Sequence, residues 1–218
     1  TVDDLASQDR AYAACERLRV LLAVDRSDTS IDQVVAAGAM PHLVSFVSMN
    51  DFPELQSAAV WVLTNIAAGN SQHARLFLDL NALPPLVALL GADGLRADAL
   101  WCIGNIAADS PVCRDACLHA GVLAPLLEIL RTSVHKASRH NGSWLLQSLI
   151  CVKPTPLRTG MPGVLAVLVG LLDMDVPILS CVLPCLVRWL MDSRQIGPAI
   201  DLGVVPRLKA LFSSLPAR

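Results

Sequence analysis

The spacing of apolar and polar residues predicts helices from the start of the chain. Between residues 3 and 24, apolar side chains recur three or four positions apart, and the polar stretch 25–30 ends that pattern. This pattern favours one helix or a broken pair. A short helix over 31–37 follows and stops at Gly38, and we expect Asp28, Thr29 and Ser30 to offer its N-terminal caps.

A unit of short helix, middle helix and long helix then recurs about every 40 residues. The predicted long helices cover about 51–68, 95–108, 135–151 and 176–190. Residues suited to a left-handed turn stand at the same point of the units: Gly38, Asn81, Gly121 and Gly203. The recurrence predicts an all-α solenoid of stacked three-helix units.

Tryptophans mark the long helices. The segment WVLTNIAAG begins at Trp61 and WCIGNIAAD begins at Trp101, with Asn65 and Asn105 four residues after each tryptophan. Side chains four apart emerge on one helix face, one turn from each other. A third copy, SWLLQSL, contains Trp144. We predict that this shared face is a binding surface.

Composition limits the kinds of ligand. Apolar residues make up 54% of the chain and charged residues 17%, which is too apolar for a disordered protein. Some of this apolar excess is expected at exposed ends or at an oligomer interface. The net charge of −2 is scattered, so no direct binding of nucleic acid is predicted. Prolines and aspartates interrupt the most apolar region, 161–189, so no membrane helix is predicted either.

Seven cysteines, an odd number, lie inside apolar helical patterns. They indicate free thiols in a reducing compartment, the cytoplasm or nucleus. Metal binding is the less favoured alternative for two groups whose cysteines lie four residues apart: Cys113, Cys117 and His119; Cys181 and Cys185. No metal or other cofactor is predicted. The five histidines fall in no catalytic motif, and no phosphate loop or nucleophile elbow occurs, so an enzyme is not expected.

The units resemble the armadillo repeat. The segments WVLTNIAAGNS, LWCIGNIAADSPVCRD and SRHNGSWLLQSL followed by KPTP are similar to the second, third and fourth repeats of importin α, the adaptor that recognises nuclear localisation signals. The resemblance is strong over 31–156 and weak beyond. It implies a right-handed armadillo solenoid in one domain, 1–218, like the N-terminal half of that family. The expected parts are a partial repeat 1–30, repeats 31–70, 71–109 and 110–152, a degenerate repeat 153–194 and a partial repeat 195–218.

Stacked long helices would place the three indoles side by side, and the gaps between them would accept lysine or arginine side chains. A lysine stem is apolar and its tip cationic, so an indole can contact both. The amides of Asn65 and Asn105 can donate to and accept from the main chain of an extended peptide.

The resemblance to importin α implies further peptide-binding residues. Asp109 matches the acidic residue that pairs with the most discriminating lysine of the signal, and Gly69 marks a turn that helps to cap its ammonium group. Asp98 lies where the family tends to have Gln. Asn141 matches a family Asn, while Ser148 stands at an Asn position. The implied partners are Lys/Arg-rich segments of cargo proteins.

Structural roles are the alternative for these residues. A single tryptophan at helical spacing is more often a core residue than part of a binding surface. Asn65 and Asn105 could bond to the neighbouring repeat, and Asp109 could cap the helix that begins at Pro111. The basic run 131–140 is most simply a solvated helix face.

The sequence also departs from the family. Ala74 stands where the family usually has Thr, and Leu183 and Val187 replace the fourth aromatic and polar pair, so weaker signal binding is expected. Importin α carries a basic importin-β-binding arm that these 218 residues lack, which makes importin β a doubtful partner. The alternative function is an armadillo scaffold or homo-oligomer. It would use apolar surfaces near the C-terminus: Val182, Leu183, Val187 and Trp189.

Overall fold

A computed structural model describes residues 2–25, 27–154, 156 and 161–214. Within these residues all regular structure is helical. The α-helices, some extended by a short 3₁₀ turn, are α1 (Val2–Val24), α2 (Asp28–Ala36), α3 (Ala39–Phe46), α4 (Pro53–Ala67), α5 (Ser71–Asp79), α6 (Leu83–Ala88), α7 (Arg96–Asp109), α8 (Pro111–His119), α9 (Leu123–Thr132), α10 (Lys136–Cys151), α11 (Val164–Gly170), α12 (Val176–Leu190), α13 (Ile196–Asp201) and α14 (Val204–Ser214).

The long helices α1, α4, α7, α10 and α12 are stacked in chain order, each against the next. Each middle helix, α3, α6, α9 or α11, contacts the long helix of its own unit. One continuous apolar core runs through the stack. The all-α solenoid of three-helix units predicted from the sequence is therefore confirmed.

Left-handed residues separate the first and second helices of the units. Gly38, Gly121 and Gly203 have φ between 75° and 83°, and Asn81 has φ of 49°. The predicted turn positions are confirmed. Gly163, at φ 79°, provides the same turn before α11 in the fourth unit, where the sequence analysis did not identify it.

The predicted caps of α2 were wrong. Asp28, Thr29 and Ser30 lie inside the helix, and Ser27 is the N-cap. The backbone of Ser27 is extended, so its side-chain oxygen can accept the N–H of Ser30 at 3.3 Å. Helix α2 therefore begins three residues earlier than its apolar pattern indicates.

The fourth unit is described in part. Its middle helix is α11 and its long helix is α12, which continues through Pro184. Thr155 of the KPTP segment, residues 157–160 and residues 215–218 lie outside the described part of the chain. Among the residues that the structure describes, no single helix is long and apolar enough to cross a membrane. Two bent helix pairs, within 71–91 and 176–201, meet that criterion on length and composition.

Candidate functional site

Two tryptophans lie open on neighbouring long helices. Trp101 on α7 is 42% exposed and Trp144 on α10 is 37% exposed. Both line one cavity of about 560 Å³, together with Asp98, Asn105 and Asn141. Two aromatic rings, two amides and a carboxylate therefore surround one opening between adjacent helices. We call the surface of α4, α7 and α10 that carries the three tryptophans the tryptophan face.

Glycine at position 104 explains how close Trp144 comes to α7. A Cβ atom at Gly104 would lie 2.7 Å from Cδ1 and 2.9 Å from Nε1 of the Trp144 indole, distances that atoms in contact do not reach. Because this position has no side chain, the ring can lie directly against α7. The identity of one residue in α7 thus helps to set the position of a ring on α10.

A second cavity continues the tryptophan face toward α4. It has a volume of about 270 Å³, and Thr64, Asn65, Trp101 and Asn105 are among its lining residues. Trp101 and Asn105 line both this cavity and the one beside Trp144. The two openings are therefore consecutive, with the Trp101 side chain bordering each of them.

The asparagine amides make structural hydrogen bonds. Asn65 donates from Nδ2 to the carbonyl of Trp61 in its own helix at 2.9 Å. The two later asparagines instead donate to the preceding long helix: Asn105 to the Thr64 carbonyl at 3.2 Å, and Asn141 to the Ala97 carbonyl at 2.8 Å. The structural alternative is thus seen for Asn105. Each of these bonds uses one N–H, and an amide can donate twice and also accept.

Asp98 is a half-buried carboxylate in the larger cavity. Burial raises the pKa of this carboxyl above its usual range, because removal from water disfavours the charged form. A cation placed in the cavity would favour the ionised form. Asp98 is therefore suited to hold a positively charged side chain next to Trp101 and Trp144.

Asp109 is held at the end of α7. It accepts a hydrogen bond from the Ser71 hydroxyl of α5 at 2.7 Å, and the Cys113 thiol lies 3.7 Å from its other oxygen. Asp109 does not cap α8: the hydroxyl of Ser110 accepts the Cys113 N–H at 3.3 Å. The capping alternative was wrong, and Asp109 instead links α7 to α5 across one side of the unit.

The indole of Trp61 is partly buried, whereas those of Trp101 and Trp144 are exposed. The guanidinium carbon of Arg19, on α1, lies 5.7 Å from the ring centroid of Trp61, within cation–π range. Sequence reasoning did not identify Arg19. The available signal was the spacing of Glu16 and Arg19, three residues apart on the helix that precedes the first tryptophan.

Two residues of the predicted peptide-binding site, Ser148 and Gly69, have structural roles. Ser148 is 5% exposed and donates to the carbonyl of Trp144 at 3.1 Å, so the structure does not bring it to the surface of the groove. Gly69 makes room for a buried ring, since a Cβ there would lie 2.3 Å from Nδ1 of His73. His73 in turn contacts Asp32 at 2.7 Å. Gly69 therefore has a packing role that does not depend on a bound peptide.

The C-terminal apolar surface differs from the expectation. Trp189 is 3% exposed and donates from Nε1 to Gln195 at 3.1 Å, and Val182 is also buried. Both belong to the core, so their assignment to an apolar interaction surface was wrong. Val187 is 68% exposed, and Leu183 is partly buried. Counted from the left-handed turn at Gly203, these two residues align with Trp101 and Asn105, which precede the turn at Gly121 by the same spacing.

All seven cysteines are free, as predicted, and six of them are buried. The sulfur atoms of Cys151 and Cys185 lie 4.0 Å apart. The described part of the chain contains no cluster of three or more His, Cys, Asp or Glu side chains that could hold a metal ion.

Comparison with known proteins finds an armadillo-repeat match and importin α relatives. Residues 27–68 match the Armadillo/beta-catenin-like repeat family. Importin subunit alpha-2 of Arabidopsis thaliana is 36% identical over 216 residues, which cover 94% of this chain and 39% of that protein. Importin subunit alpha-1a of Oryza sativa subsp. japonica is 37% identical over 207 residues, covering 91% of this chain and 38% of that protein. The chain thus spans about two fifths of these relatives.

Solved structures share the fold. A computationally designed armadillo repeat protein for modular peptide recognition has a TM-score of 0.83 at 23% identity and covers 94% of this chain and 86% of its own. A designed armadillo repeat protein in complex with the peptide (KR)4 has a TM-score of 0.81 at 23% identity, with 94% and 86% covered. These similarities show an armadillo solenoid.

Proposed function

Because this chain is an importin-α-like armadillo-repeat protein, we propose that it binds an extended Lys/Arg-rich peptide along its tryptophan face. The peptide would be a nuclear localisation signal of a cargo protein. The observation that supports this proposal is the cavity of about 560 Å³ between the two exposed indoles of Trp101 and Trp144, with the Asp98 carboxylate inside it.

Each element of this cavity has a use in binding a cation. The indole faces bury an aliphatic stem and attract its charged tip, an interaction of roughly 0.5–2 kcal/mol. Asp98 would favour Lys or Arg over neutral side chains through a charge-assisted hydrogen bond. Asp109, at the far end of α7, supplies a second carboxylate on the same helix.

The main chain of the peptide would be held by the amides. The remaining N–H and the carbonyl of Asn65, Asn105 and Asn141 could pair with the N–H and C=O groups of an extended chain. The hydrogen bonds that these side chains already make would hold them in fixed positions, which lowers the entropy lost on binding. Ser148 lacks the amide and is buried, so we assign no direct contact to it.

The relatives support the same class of ligand. The curated relatives are importin α subunits, and one structural neighbour is a designed armadillo protein with a bound alternating Lys-Arg peptide. From these we propose a non-catalytic role in nuclear import, with a location in cytoplasm and nucleus. Direct binding of nucleic acid or membrane is not part of the proposal.

The test is a fluorescence-polarisation titration of labelled (KR)4. We expect saturable binding, weakened about 10-fold or more by Trp101→Ala, because Trp101 borders two cavities and each cation contact contributes roughly 0.5–2 kcal/mol. Val187→Ala is the control: it removes an exposed apolar side chain from α12, outside the tryptophan face, and should leave the affinity unchanged.

Two outcomes would contradict the proposal. One is the absence of binding at about 100 μM protein, a concentration that detects even weak complexes. The other is equal affinity for (KR)4 in the wild type and Trp101→Ala. An alternating Asp-Glu octapeptide tests charge selectivity, and we expect it not to bind.

A second candidate function is self-association through the C-terminal helices. Several large apolar side chains there are more than half exposed: Val176, Val187, Met191, Ile200, Val205 and Phe212. An apolar surface of this kind is typical of an interface. Light scattering over a range of protein concentrations tests it, since a mass that stays monomeric throughout would exclude it.

A further inference from the structure

The first of the three tryptophans is already occupied by a cation of the chain itself. Arg19 lies over the ring of Trp61, with its guanidinium carbon 5.7 Å from the ring centroid. Trp61 is partly buried, whereas Trp101 and Trp144 are exposed. An arginine from α1 therefore lies over the most buried of the three indoles.

Glu16 holds Arg19 in this place. Three hydrogen bonds join them: Nε of Arg19 donates to both carboxylate oxygens of Glu16 at 3.0 and 3.1 Å, and Nη2 donates to Oε2 at 2.8 Å. The two residues stand three apart and so share one face of α1. A planar guanidinium held by a carboxylate keeps a fixed orientation above the indole.

The surroundings of this contact form a cation site. Glu16, Arg19 and Trp61 line a cavity of about 450 Å³ together with Tyr12 and Glu54. The lining therefore combines two carboxylates and two aromatic rings, and the cavity at Trp101 and Trp144 likewise combines a carboxylate, Asp98, with two indoles. Arg19 and Glu16 keep 40% and 31% of their side-chain surface exposed, so the arginine can leave without disturbing the core.

We propose that Arg19 is an internal occupant of the Trp61 site and determines how many cations of a bound peptide the groove accepts. This inference rests on the proposed function and adds a specificity-determining residue to it. A short basic peptide at Trp101 and Trp144 does not meet Arg19. A longer one must displace Arg19 before its own cation contacts Trp61, where Glu16 and Glu54 then face the incoming charge.

Peptide length determines whether a bound peptide reaches Trp61 or contacts only Trp101 and Trp144. Packed helices lie about 8–10 Å apart and an extended chain rises about 3.3 Å per residue, so an octapeptide can reach all three tryptophans. A tetrapeptide covers about one helix interval. Alternating (KR)4 and (KR)2 are therefore suitable probes, because a cation is present in every register.

The experiment measures the affinity of both peptides for the full chain and for Arg19→Ala. We expect Arg19→Ala to strengthen (KR)4 binding about 2- to 5-fold, the range of an exposed cation–π contact, and to change (KR)2 binding by less than about twofold. Arg17→Ala is the matched control, since it removes an exposed arginine from the same helix and should not change the ratio of the two affinities. Adding Trp61→Ala to Arg19→Ala should abolish the gain.

Other results would overturn the inference. Weaker or unchanged (KR)4 binding in Arg19→Ala means that Arg19 does not compete with the peptide, and an equal gain in Arg17→Ala means that only long-range charge is at work. If Arg19→Ala lowers the melting temperature, Arg19→Gln, which keeps part of the aliphatic stem and a neutral polar end, is measured under the same criteria. If (KR)2 binding still depends on Trp101 while Arg19→Ala gives one of these contrary results, the role of Arg19 is rejected and the proposed function is retained. Binding of neither peptide to the wild type rejects the proposed function as well, and the inference with it.

Discussion

The helices α7 and α12 have the same place in their units but present different surfaces. Both bury a nearly continuous apolar side, including Leu100 and Ile103 on α7 and Val182 and Leu186 on α12. On the opposite side α7 presents Trp101 and Asn105. At the aligned positions α12 presents Leu183, which is partly buried, and Val187, which is exposed. Stacking and ligand chemistry occupy different faces of a helix. A repeat can therefore retain its place in the solenoid after losing the residues that a peptide would contact.

The largest expected effect concerns stability where the third repeat meets the C-terminal unit that contains α12. Arg114 on α8, whose side chain is 3% exposed, donates to the carbonyls of Val152 and Pro154 and pairs with Asp115. Arg114→Ala removes both of these charge-assisted hydrogen bonds together with the packing of a buried side chain, and we expect it to lower the free energy of unfolding by about 3 kcal/mol. Urea denaturation followed by circular dichroism measures this change.

Arg75 is the control for Arg114. It stands on α5 and forms an exposed pair with Asp79 at 3.2 Å. Replacing Arg75 with Ala should change stability by less than about 0.5 kcal/mol, since exposed pairs contribute little. Equal losses for the two variants would mean that the carbonyl contacts of Arg114 are unimportant.

The next prediction restores the missing groove chemistry on α12. The double substitution Leu183→Trp and Val187→Asn places an indole and an amide at the positions equivalent to those of α7. We expect a peptide longer than (KR)4, such as (KR)6, to bind about threefold more tightly, with (KR)2 unchanged, because one more cation contact becomes available. Fluorescence polarisation with both peptides measures the effect.

Met191→Asn is the control for that gain. It adds an amide to an exposed position directly after α12, away from the two equivalent positions. A similar gain in this variant, or none in the double variant, would show that the difference between α7 and α12 is not what limits binding at this end.

The last prediction, of similar size, concerns the protonation of Asp98. Burial raises its pKa and so favours the neutral carboxyl, whereas a bound cation favours the carboxylate. Binding should therefore release a proton, and the affinity for (KR)4 should fall as the pH decreases through the raised pKa. Asp98→Asn should weaken binding about threefold at neutral pH and reduce this pH dependence. Titrations between about pH 7.5 and pH 4.5 measure it.

Because His140 lines the same cavity, both proteins should carry His140→Gln, so that they differ only at residue 98. Burial raises the pKa of Cys181, the other titratable group there, which therefore stays protonated. Because the ionised Asp98 is disfavoured in the empty groove, Asp98→Asn should not lower the melting temperature at neutral pH. A pH profile identical in the two proteins would exclude Asp98 as the titrating group.

The sequence alone was sufficient for the repeat period and for four of the five left-handed turns in the described part of the chain, including Asn81 but not Gly163. These features depend on periodicity and on the backbone preferences of single residues, so they can be read locally. The exposure of Trp101 was also predictable, because a tryptophan repeated about every 40 residues on one face of stacked helices is more easily explained by a shared surface than by chance packing.

The tertiary structure decided how the predicted site residues are used. Asn105 bonds to a carbonyl 41 residues earlier and Asn141 to one 44 residues earlier. Whether an amide reaches that far depends on the spacing and rotation of neighbouring helices, which no local pattern records. The same is true of Arg19 over Trp61 and of the burial of Ser148. The sequence by itself determined which residues share a helix face, while the lateral packing of the helices determined which of them remain open to a ligand.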